Sequence, residues 1–109
     1  MNKVYTYEYV KVIKIIDGDT IDVSIDLGFN LSKDVRLRLH GINAPEIKGV
    51  TRQEGLASKE YLQSIIPVGT IIKVECVGAD KYGRYLAIIY KNNIDINNHL
   101  LITGYVTKY

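Results

Sequence analysis

Ile21-Asp22-Val23-Ser24-Ile25-Asp26-Leu27 alternates apolar and polar residues without a break. Only a period of two sends all the aliphatic side chains to one side and the polar ones to the other, so the stretch predicts a half-buried strand. The alternation returns where Val35, Leu37 and Leu39 face one way and Arg36, Arg38 and His40 the other, predicting a third strand. Upstream, Val10 to Ile16 is β-branched and follows Tyr5, Tyr7 and Tyr9 at alternate positions, which predicts one long first strand. Its apolar phase slips at Val12-Ile13, as a bulge or sharp bend requires.

Downstream the period changes. Thr51-Arg52-Gln53-Glu54 fits a capping box that opens a helix. Ala57, Tyr61 and Ile65, flanked by Leu62 and Ile66, are its expected apolar stripe, and Pro67 and Gly69 its stop. A fourth strand is predicted from Thr70 to Val77, a turn from Asp80 to Gly83, and a fifth strand from Tyr85 to Tyr90. Asp95 is placed to cap a second short helix that runs through Thr103, buries Ile96 and Leu100, and stops at Gly104. Three strands, a helix, two strands and a helix predict a mainly β (α+β) fold: a five-stranded Greek-key barrel of the OB type with two short helices. Closure also removes the exposed edges that an open five-stranded sheet would carry.

A chain of 109 residues, 47% hydrophobic and 24% charged, suits one folded domain over 1–109 with a single core. A net charge of +2 is too small to announce a nucleic-acid partner, so any attraction must come from local clustering. The lone Cys76 cannot close an intrachain disulfide and is expected in the core. Met1 to Tyr9 offers no apolar stretch for a secretory signal, and the longest apolar run, Leu86 to Tyr90, is too short to cross a bilayer. The chain is expected to be soluble and monomeric, with no membrane partner; secreted and cytoplasmic settings both stay open.

Chemistry concentrates at three bends. In Asp17-Gly18-Asp19-Thr20, two carboxylates one residue apart can present oxygens to a hard cation, although alone this is also ordinary hairpin chemistry. In Asn43-Ala44-Pro45-Glu46, Pro45 pushes Ala44 out of helical geometry and can aim its carbonyl outward, while Asn43 and Glu46 add an amide oxygen and a carboxylate. Arg38 suits phosphate binding or a rim salt bridge with Asp22 or Asp26. In Asp80-Lys81-Tyr82-Gly83-Arg84, Lys81 and Tyr82 suit a phosphate and a stacked base, or a solvated turn. His40 is expected to be a hydrogen-bonded rim histidine and His99 a structural or exposed one; Tyr5, Tyr7 and Tyr9 are expected to pack.

Taken in order and spacing, Asp17-Gly-Asp-Thr20, Arg38 before Gly-Ile-Asn-Ala-Pro-Glu46, and Asp80-Lys-Tyr-Gly-Arg84 resemble the staphylococcal nuclease (thermonuclease) family from about Val10 onward. The resemblance implies an OB-fold phosphodiesterase that uses Ca²⁺ to hydrolyse DNA and RNA, single strands favoured, leaving 3′-phosphate and 5′-hydroxyl ends. It implies Asp19 and the Ala44 carbonyl as metal ligands, with Asp17 beside the metal through water. Glu46 would orient or deprotonate the attacking water, and Arg38 and Arg84 would bind the phosphate. Lys81 and Tyr82 would contact the terminal phosphate, and Tyr109 would stand in for a tyrosine of the nucleotide site. Asn43 falls where the family's best-known members carry an aspartate ligand; an amide oxygen still coordinates Ca²⁺, but with one charge fewer the affinity should be lower. The alternative is a catalytically weak OB module that binds single-stranded nucleic acid or a protein partner.

Overall fold

The computed structural model describes residues 4–109. β1 (Tyr5–Asp17), β2 (Thr20–Gly28) and β3 (Leu31–Leu39) form an antiparallel meander. After the two-residue β4 (Ile42–Asn43) and one 3₁₀ turn (Gly49–Thr51) comes α1 (Arg52–Ile65). β5 (Ile71–Ala79) and β6 (Tyr85–Lys91) follow, then β7 (Ile94–Asp95), α2 (Ile96–Thr103) and β8 (Thr107–Lys108). The sheet runs β3-β2-β1-β5-β6-β7 and closes where β3 meets β6 in parallel, Leu37–Leu39 against Tyr85–Ala87. The five long strands therefore make the closed, mainly β barrel with two helices that the alternation predicted.

β1 stands in the middle of the sheet order and serves two neighbours. Val10 to Asp17 pairs with β2, and Tyr5 to Lys11 with β5. Its register against β2 shifts between Val12 and Lys14, so Ile13 is the extra residue of a bulge. The phase slip in the sequence has this cause: the bulge bends the strand so that Val12 and Ile15 can both enter the core. Val10, Ile21, Val23, Leu37, Leu39, Val74 and Ile89 fill the interior from the five long strands. Leu62 and Ile66 of α1 and Ile96 and Leu100 of α2 seal it.

The second helix follows its sequence signals closely. The Asp95 carboxylate accepts the Asn98 N–H at 2.9 Å, and Gly104 ends the helix in the left-handed conformation at φ 84°. The first helix departs from them. Thr51 caps nothing: its hydroxyl donates to the Glu46 carbonyl at 2.8 Å and reaches that of Lys48 at 3.3 Å. The capping box fails because the 3₁₀ turn before the helix leaves the Thr51 backbone outside the extended geometry a cap needs. Ala57 is exposed, and the buried face is Gly55, Ser58 and Leu62.

Other expectations need correction as well. Cys76 is only half-buried, because it stands near the open end of β5, where its thiol donates weakly to the Gly78 carbonyl at 3.5 Å. Tyr7 packs on the core, but Tyr5 and Tyr9 are 54% and 69% exposed, since they lie on the part of β1 that extends past β2. No helix among the described residues is long and apolar enough to cross a membrane.

Candidate active site

Asp17 ends β1, and Asp19 sits in the turn that starts β2. Gly18 between them lies flush against α1: a Cβ there would stand 1.9 Å from the Ser58 Oγ. Gly55, one turn earlier on α1, admits the next loop in the same way, since its Cβ would fall 2.6 Å from the Glu46 carbonyl oxygen. Two small residues on one helix face thus bring the Asp17-Asp19 turn and the Ala44-Glu46 loop together. Hydrophobic periodicity carries no trace of them.

Asp19 is buried and ties the loops to each other. Its Oδ1 accepts from the Thr20 hydroxyl at 2.9 Å, and its Oδ2 accepts the Ala44 N–H at 2.8 Å. The same Oδ2 lies 3.4 Å from the Arg38 Nη2. Arg38 in turn shapes the β3–β4 bend around its guanidinium: Nη1 donates to the Leu39 and Ile42 carbonyls at 2.9 and 2.8 Å, and Nη2 to the Asn43 Oδ1 at 3.2 Å. It therefore makes neither rim salt bridge with Asp22 nor one with Asp26. Arg36 takes Asp22 instead, through contacts of 2.8 and 3.1 Å that hold its carboxyl below the ordinary value.

Arg84 arrives from the turn before β6, the strand that pairs with β3 beside Arg38. Asp80 accepts the Tyr82 and Arg84 N–H groups through Oδ1, at 2.8 and 3.0 Å, and the Arg84 Nε through Oδ2 at 2.7 Å. Desolvation alone would raise the Asp80 pKa, but these hydrogen bonds and the Arg84 charge outweigh it and lower the value. Asp80 is a positioning residue whose task the sequence did not reveal; an aspartate four residues before the arginine of a Gly-containing turn is the signal.

Asp17, Asp19, Arg38, Asn43, Ala44, Glu46 and Arg84 all line one cleft of about 310 Å³, and Tyr109 closes its rim. Three carboxylates face two guanidinium groups there, a net charge of −1. Burial first, and then the neighbouring Asp19 charge, push the Asp17 pKa up, with Lys59, Arg38 and Arg84 pulling the other way. Tyr109 reaches the rim because β8 pairs with β4 and the Tyr109 N–H donates to the Gly41 carbonyl at 3.0 Å; the Arg38 guanidinium lies 5.5 Å from its ring centre.

Lys81 and Tyr82 do not enter the acidic cleft. They line a second one of about 290 Å³ that shares Arg38, Arg84 and Tyr109 with the first, so the two arginines form the wall between them. His40 borders this second cleft with an exposed ring that has no hydrogen-bond partner among the described residues, because the peptide groups make the local contacts. Its N–H donates to the Ala87 carbonyl at 2.8 Å, and its carbonyl accepts from the Asn97 side chain at 2.9 Å. Asn97 is a buried bolt that sequence reasoning missed: it also accepts the Ile89 N–H and donates to the Ala87 carbonyl, locking α2 to the closure of the barrel. His99 is structural, with its Nε2 2.7 Å from the Tyr61 hydroxyl.

The family model described as "Staphylococcal nuclease homologue" matches residues 36–109. The chain belongs to the staphylococcal nuclease family. It is 30% identical to an uncharacterized protein of Methanocaldococcus jannaschii, over 96% of this chain and 61% of that one. It is 30% identical to an uncharacterized endonuclease of Haemophilus influenzae, over 91% of this chain and 51% of the other. With a micrococcal nuclease of Shigella flexneri the identity is 32%, over 73% of this chain and 41% of the relative. The chain thus spans between 41% and 61% of the length of these curated relatives.

Proposed function

We propose that this staphylococcal nuclease-like domain is a Ca²⁺-dependent phosphodiesterase that hydrolyses DNA and RNA to 3′-phosphate and 5′-hydroxyl ends. The observation that carries the reading is the meeting of Asp17, Asp19, Glu46, Arg38 and Arg84 in one cleft. Its donors on the acidic side are all hard oxygens, the class that suits Ca²⁺ rather than zinc. No three His, Cys, Asp or Glu side chains among the described residues gather closely enough to cage a metal alone. Asp17 and Asp19 would therefore share the ion with the neutral oxygens of Asn43 and Ala44, with water and with substrate. Bound there, Ca²⁺ would offset the negative charge of the cleft and polarise a phosphoryl oxygen.

The chain's own groups supply the rest. Arg38 and Arg84 are fixed before substrate arrives, one by backbone carbonyls and the other by Asp80. Donors held in this way need no reorganisation as charge builds on the equatorial phosphoryl oxygens. Glu46 is exposed in the cleft and free to hold the attacking water and take its proton. The water oxygen bonds to phosphorus as the P–O5′ bond breaks, and the leaving oxygen takes a proton from solvent, since guanidinium holds its own too tightly.

Lys81 and Tyr82 receive the terminal phosphate in the second cleft. The exposed rings of Tyr82 and Tyr109 can stack on unpaired bases, which favours single strands. A monomer suffices, because one chain contributes every group named. End-group analysis tests the proposal: fragments from denatured DNA should accept a 5′ label directly from polynucleotide kinase, without prior phosphatase treatment. Fragments that need phosphatase first would mean the opposite bond had broken. Asn43, which removes one negative charge from the metal side, favours the second reading of a weak binding module; DNA retained uncut in saturating Ca²⁺ would support it.

A further inference from the structure

We propose that the opposite mouth of the barrel is a second binding site, for a slender apolar molecule with one anionic head group, such as a medium-chain carboxylate. β3 meets β6 only over Leu37–Leu39, so residues 31–36 pair with β2 on one side and with no strand on the other among the described residues. Along that free edge opens a cleft of about 470 Å³ that reaches core residues Leu37 and Val74. Its lining is apolar apart from Lys33, the Cys76 thiol and the hydroxyls of Tyr5, Tyr7 and Tyr85. That size, with mostly apolar walls and a few polar groups, is typical of small-molecule sites.

Lys33 sets the chemistry of the ligand. It shares a strand face with Val35, Leu37 and Leu39, and it pairs with the buried Ile25. Among the described residues it is the only charged one lining the cleft, and it joins no ion pair with any of them. A lysine that merely guards a free strand edge against pairing would need no cleft beside it. Here an exposed ammonium stands at an apolar slot with no ion-pair partner among the described residues. An anionic head would pair with Lys33 while its tail fills the slot; a neutral or cationic head would leave the lysine unpaired.

Titration of the native chain with decanoate, below its micelle-forming range and followed by amide NMR shifts, tests the site. Binding should saturate at one equivalent, with the shifts centred on Tyr5, Tyr7, Lys33 and Cys76. Saturating decanoate should slow alkylation of Cys76, and decyltrimethylammonium should not. Lys33→Met keeps the apolar stem, so it should weaken decanoate about tenfold while leaving decanol binding unchanged. Shifts that never saturate, shifts centred on the acidic cleft, or equal decanoate affinity in a folded Lys33→Met variant would each overturn the proposal.

Discussion

At the residue scale, Asp17 sets stability against the metal-side role proposed for it. Its folded pKa lies above the unfolded value of 3.8, chiefly through burial and secondarily through Asp19. Below 3.8 the carboxyl is neutral in both states and changes nothing. As pH rises from there through the folded value, the unfolded chain ionises more readily, so stability is lost, and near neutrality the whole loss is present. Asp17→Asn should therefore raise the urea midpoint at about pH 7 but not at about pH 3, while weakening any response to Ca²⁺. Equal midpoints near neutrality would remove the strain. Arg38→Ala should slow single-turnover cleavage about 10²–10³-fold. It should also cost about 1–3 kcal/mol in a denaturant titration, because the Leu39 and Ile42 carbonyls lose their donor. Unchanged turnover would exclude Arg38 from the mechanism. Asn43→Asp should tighten Ca²⁺ binding in calorimetry, and an unaltered titration would show that position 43 is no ligand. These residues were legible because short motifs carry them. Asp80 was less so, since its role lies in hydrogen bonds to its own turn.

At the scale of elements, strands and helices were legible to different depths. Period-two alternation located the first three long strands, apolar runs between turn signals located the other two, and the slip at Val12-Ile13 located the bulge in β1. The caps of α2 were legible because Asp95 and Gly104 act on backbone within a few residues of themselves. The buried face of α1 was legible in part: Leu62 and Ile66 enter the core and Tyr61 and Ile65 pack on it, but Ala57 is exposed. The helix's contact with the site loops is so close that only Gly55 and Ser58 fit, and neither adds to a hydrophobic stripe. That contact makes an unusual demand on Gly55. Alanine in a helix interior ordinarily stabilises by about 1 kcal/mol relative to glycine. Here the added methyl would meet the Glu46 carbonyl, so Gly55→Ala should instead destabilise by about 1–3 kcal/mol and lower turnover by moving Glu46. Thermal melting and cleavage rates check both effects. A more stable, fully active variant would mean that the helix has room to spare.

At the scale of the whole molecule, the barrel is what gathers the site. Asp17 and Arg84 lie on different strand ends, yet closure of β3 against β6 faces them across one cleft. Sequence alternation indicates that a sheet should curl shut. It does not say that three parallel residue pairs do the closing, because contacts between distant segments leave no local period. The three motifs, each at the end of a strand and beside a Gly or Pro bend, anticipated the meeting of acids and arginines at one rim, and the cleft gives it a physical basis. On the proposed reading, the formal side-chain charge of −1 in the cleft would call for a bound cation before a phosphodiester could enter. Incubation of denatured DNA with the native chain in Ca²⁺, beside a matched sample containing excess chelator, bears on this most directly. Strands should shorten with Ca²⁺ and stay intact with chelator; intact strands in both samples, or equal cleavage in both, would contradict a metal-dependent nuclease.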